Sequence, residues 1–140
     1  MDSTIEKYKH SGSIALWQFP GSKNYSGWNI TLDENGRKSL LDLLKLMSKN
    51  QWPSRKLIDL SDPLLMGQDW IKSVGNRVVY NKVLISFRPE ENLFLFDDND
   101  SNPKILLGPT KLKELEGMLM KNAFDEGIIS SDEVNTLFFW

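Results

Sequence analysis

The chain has 140 residues, 40% hydrophobic and 26% charged, with a net charge of −2, no cysteine and one histidine, His10. That length suits a single domain with one core. The composition excludes disulfides, thiolate catalysis, cysteine-ligated metals and a multi-histidine metal site, and no run approaches the roughly 18 apolar residues of a membrane-spanning helix.

The opening residues, MDSTIEKYKHSGS, lack the basic, apolar and small-residue sections of a secretory leader, which predicts a cytosolic protein with a loose lead-in over residues 1–12. Ile14 to Phe19 reads as a first strand, stopped by Pro20-Gly21. Trp28 to Leu32 alternates apolar and polar residues and predicts a half-buried strand. Asp33 offers a helix N-cap, and Leu40, Leu43, Leu44 and Met47 follow at helical spacing, so a helix is expected from about Asn35 to Ser48, weakened by Gly36 and closed off by Trp52-Pro53. Lys56 to Leu60 reads as a third strand. Ser61 to Asn76 reads as an irregular excursion carrying Trp70, with Asp62-Pro63 as a cap and first helical position, and Gly67 and Gly75 limiting any helix to a turn or two.

Val78 to Phe96 contains two apolar runs around the polar connection Arg88 to Asn92, and predicts a central strand and an antiparallel neighbour joined as a hairpin. A strand over Lys104 to Leu107 follows. A helix then starts at Gly108-Pro109-Thr110, with Leu112, Leu115, Met118 and Leu119 on one face and Gly127 near its end. In the tail, Ser130 and Glu133 have capping-box spacing, while Leu137 to Trp140 could equally form a last strand; periodicity does not decide between them. The expected fold is α+β: one mostly antiparallel sheet of five to six strands with two main helices packed on it.

The cluster Asp97 to Pro103 resembles a calcium loop started at Asp98, but Pro103 stands where glycine is needed and Pro109 where glutamate is needed. Gly21-Ser22-Lys23 and Gly108-Pro109-Thr110-Lys111 lack phosphate-loop spacing. Cations lie beside Trp52, Trp70 and Tyr80, as in single-strand binders, yet a sequence pI near 5.4 weighs against phosphate contacts. No catalytic set, cofactor or metal is therefore predicted.

Residues 1–88 carry 13 Lys or Arg against 8 Asp or Glu, and residues 89–140 carry 4 against 11. Glu90, Glu91, Asp97, Asp98, Asp100, Asp125 and Glu126 fall in turns and element ends, where binding residues concentrate. Gathered on one face, they would attract a basic protein. Trp17 and Trp28 are expected in the core, whereas Trp52 and Trp70, in or beside loops, are candidates for partner contact.

A small, cysteine-free, mildly acidic α+β chain with acidic loops resembles the bacterial immunity proteins that neutralise contact-dependent inhibition toxins. The resemblance lies in general character over the whole chain, so it carries over no individual residue. It implies a cytoplasmic, non-enzymatic monomer or weak dimer that binds a cognate toxin domain, often a basic nuclease. Two other readings stand beside it: a small enzyme or nucleic-acid-binding protein using a cleft beside Trp52 and Trp70, and a subunit of a larger assembly with Trp52, Trp70 and Phe138-Phe139-Trp140 as its contact.

Overall fold

The structure is a computed structural model describing residues 3–20, 27–74, 76–97, 102–121, 127–130 and 135–140, with backbone alone for residues 3, 4 and 127–130. In chain order its elements are α1 (Ser3–Lys7), β1 (Ile14–Gln18), β2 (Trp28–Leu32), α2 (Glu34–Ser48) and β3 (Ser54–Asp59), then two 3-10 turns (Pro63–Met66 and Asp69–Ser73). After these come β4 (Val78–Val79), β5 (Lys82–Phe87), β6 (Phe94–Asp97), β7 (Lys104–Leu107), α3 (Pro109–Met120), β8 (Gly127–Ser130) and β9 (Thr136–Phe139).

The α+β class holds, but the single sheet expected from the sequence is two. One has the order β4-β1-β2-β9-β8 and the other β3-β5-β7-β6. Ile14, Leu16, Ile30 and Leu137 from the first sheet face one core with Ile58, Val83, Ile85 and Ile105 from the second. The apolar stripes of α2 and α3, among them Leu40, Leu43, Leu44, Met47, Leu112 and Leu115, complete it.

Asp33 shows how local sequence sets α2. Its Oδ1 accepts from Gly36 N at 2.6 Å, as an N-cap should, and also from Ser13 N at 2.9 Å. The lead-in therefore crosses the start of the helix closely enough that a Cβ on Gly36 would collide with Ser13 O. This close approach explains a helix-weakening residue in the first turn. Part of the lead-in is packed: Ile5 is buried, and the Tyr8 hydroxyl donates to Ser39 O at 2.6 Å.

The expected hairpin through Val78 to Phe96 is not formed. Val79 pairs with Trp17 in the first sheet, and β7 lies between β5 and β6, parallel to β5 and antiparallel to β6. The connection after β5 spans this extra strand, about 9–10 Å for two inter-strand spacings. It is held on both sides of β7: Arg88 N donates to Leu107 O and Gly108 N donates to Leu93 O, each at 2.9 Å. Two adjacent apolar runs look alike whether they pair directly or flank a third strand, so local pattern favoured the wrong partner.

Strand β2 is buried on both faces rather than one. The excursion and Trp140 cover its second face. Asn29 accepts from Trp140 Nε1 at 2.9 Å, and Thr31 Oγ1 donates to Trp140 O at 2.9 Å and accepts from Gln68 Nε2 at 3.3 Å. Buried polar groups need such partners. Beside them Ala15, Trp17, Phe19 and Ile71 make a second small core, against which Trp70 packs. In the excursion, Asp62 caps Leu64 N at 2.9 Å and Gly67 ends the first turn at φ +83°.

At the C-terminal side α3 stops at Met120, and Gly127 opens β8 instead of ending the helix. The strand reading of the tail is the one found; Glu133 lies outside the described residues. No helix among the described residues is long and apolar enough to cross a membrane.

A candidate protein-binding surface around Trp52

Helix α2 ends at Ser48, Asn50 N donates back to Met47 O at 3.0 Å, and the chain turns through Gln51-Trp52-Pro53 into β3. Pro53 fixes the backbone there and biases Trp52 away from helical geometry. The indole is left 71% exposed. Burying a large aromatic side chain is worth about 2–3 kcal/mol, so Trp52 withholds from folding a contribution that a partner could recover.

Trp52 stands between two grooves. One, of about 220 Å3, is lined by Trp52, Pro53, Arg88, Pro89, Glu90 and Glu91. The other, of about 340 Å3, runs past Ile5, Glu6, Asn50 and Ser54 to Arg55. Ser54 Oγ, in the lining of the second groove, is buried and has no hydrogen-bond partner among the described residues.

The structure thus brings together three residues singled out in the sequence, Trp52, Glu90 and Glu91. The carboxylates sit on a turn that is held in place. Glu91 N donates to Arg88 O at 3.2 Å, and Glu91 O lies so close to Gly108 that a Cβ there would overlap it. Both glutamates are exposed. A carboxylate pair on a fixed backbone turn beside an exposed indole presents charge and apolar area together, and leaves mainly side-chain ordering as the conformational cost of binding.

The other predicted residues are placed differently. Asp97 points from β6 to the outer face of its sheet, opposite Lys104 in the register, and lines a third groove with Arg55 and Arg88. Trp70 lies on the other sheet: its ring stands 4.4 Å from Trp140 and 6.2 Å from Trp17 between centroids, and its Nε1 donates to Gln68 Oε1 at 2.7 Å. Asp98, Asp100, Asp125 and Glu126 lie outside the described residues. Trp17 and Trp28 are buried as expected.

The sequence singled out neither Arg88 nor Ser54, and Arg55 only as a cation beside Trp52. The available signal was modest: the polar opening Ser54-Arg55-Lys56 of β3, and an arginine directly after an apolar strand. Among the described residues no group of three or more His, Cys, Asp or Glu could hold a metal ion. Comparison with protein-family models, with curated proteins and with solved structures finds no match, so the functional reading rests on this geometry.

Proposed function

We propose that this chain is a non-catalytic protein-binding domain, and most concretely an immunity protein that neutralises a basic, nuclease-type toxin. The observation that carries the reading is Trp52, 71% exposed, lining one groove with Glu90 and Glu91. The indole supplies the kind of aromatic anchor on which interfaces concentrate their affinity. The two carboxylates draw a cationic partner into register and pair with its lysines or arginines.

Capture from the native cell on the immobilised full chain tests this, compared with Trp52→Ala and with the double variant Glu90→Lys, Glu91→Lys. The expected result is a basic toxin domain that the native chain retains and both variants lose, at unchanged Tm. Retention of that domain by both variants, or capture of no basic protein, would overturn the reading.

A further inference from the structure

Among the described residues, the outer face of the four-stranded sheet carries an excess of the opposite charge. Side chains alternate along its strands, so Ile58, Val83, Ile85, Phe87, Ile105 and Leu107 face the core. The registers set the remaining residues in two rows across all four strands, Arg55-Ser86-Leu106-Leu95 and Leu57-Leu84-Lys104-Asp97. The four leucines are neighbours, directly or on the diagonal, and Leu57 and Leu95 at the two edges are each 44% exposed. Between them opens a groove of about 560 Å3 with Leu84 and Leu106 in its lining and, among the described residues, three cations, Arg55, Arg88 and Lys104, against one carboxylate, Asp97. The next row is neutral, Lys82 pairing with Asp59 at 3.3 Å.

We propose that this face binds an acidic segment of a second protein that carries aliphatic side chains between its carboxylates. The leucines offer such side chains an aliphatic bed, and the excess of cations selects negative charge around it. A single-stranded nucleic acid would meet the cations, but no aromatic ring among the described residues lines the groove to stack its bases. The inference goes beyond the Trp52 reading. The two surfaces adjoin at Pro53 and Arg88 but call for opposite charge, so each stands or falls separately.

The test uses the full chain and a short, capped, fluorescein-labelled peptide of alternating leucine and glutamate, read by anisotropy. Saturable binding is expected that weakens with added salt, with about tenfold or greater loss on Arg55→Glu. Leu95→Asp, on the far edge, is expected to weaken it comparably; both residues are exposed, and an unchanged Tm shows that the fold is kept. If Arg55→Glu does not fold, Leu95→Asp decides. The double variant of Glu90 and Glu91 is expected to bind the peptide at least as well as the native chain, which separates this surface from the first. Absence of saturable binding, equal affinity for a leucine-lysine peptide, tighter binding of single-stranded oligothymidine, or native affinity in the folded variants would each overturn the proposal.

Discussion

Asp33 does two jobs with one oxygen, capping α2 and holding Ser13 N. Asp33→Ala removes both and should cost about 1–2 kcal/mol, the range for a lost N-cap. Asp33→Asn keeps an acceptor and should cost much less, which paired urea melts would show. The hydrogen bonds from the Ser13 backbone, and then from Gly36, hold the Asp33 carboxyl below its ordinary range. Its stabilisation is therefore complete above about pH 4, the unfolded value, and is lost as pH falls through the lower folded value. The asparagine variant should show a flatter acid limb between those values. A limb as steep as the native one would show that another carboxylate governs it. His10 adds an earlier step. Burial pushes its imidazole below the ordinary value, against the opposing pull of Asp33 and Asp59. Its contribution is present above about pH 6.5 and falls as the solution is acidified through the lower folded value.

Gly36 sets local preference against packing within α2. Helix propensity alone predicts that Gly36→Ala stabilises by about 1 kcal/mol. The added methyl would strike a backbone carbonyl, Ser13 O, which itself accepts from Asp33 N at 3.0 Å and has no side-chain freedom to move aside. The expected outcome is a lower Tm, and a rise would mean that the lead-in lifts off the helix at little cost. Gly108→Ala tests a second close approach. Its methyl would displace Glu91 O, so the turn carrying Glu90 and Glu91 should shift and partner affinity should fall together with stability. Helix α2 was legible because its apolar spacing and cap are local signals written within a few residues. Strand partnership was not, because β7 enters between β5 and β6 from later in the chain and leaves no mark on either. The same limit applied to the candidate surface. Trp52 was recognisable from its place between helix and proline, whereas Arg55 of β3, Arg88 just after β5 and Lys104 of β7 gather only through strand pairing. An acidic C-terminal stretch says nothing about which face each charge reaches.

At the scale of the whole molecule, both sheets close over one core, and two contacts bind them at a shared seam. Phe96 of β6 stacks on Trp28 of β2 at 4.8 Å and 11°, and Asn135 Oδ1, just before β9, accepts from Phe96 N at 2.7 Å. That hydrogen bond also occupies an amide on the edge strand β6, where an unpaired backbone invites association. Such sharing predicts cooperative unfolding: near-ultraviolet and far-ultraviolet transitions should coincide, and two separated transitions would show that the sheets melt independently. Leu107→Ala, fully buried in the centre of the second sheet, should then lower stability by about 2–5 kcal/mol and weaken both sheets together. Trp52→Ala removes a larger side chain yet should change stability by no more than about 0.5 kcal/mol, because the ring stands mostly in water. The pair separates what the fold needs from what a partner needs. If Trp52→Ala destabilised the chain as Leu107→Ala does, the indole would be a structural prop and the case for a binding surface around it would fail. If stability held while capture of the basic partner was lost, the exposed ring would be accounted for by recognition.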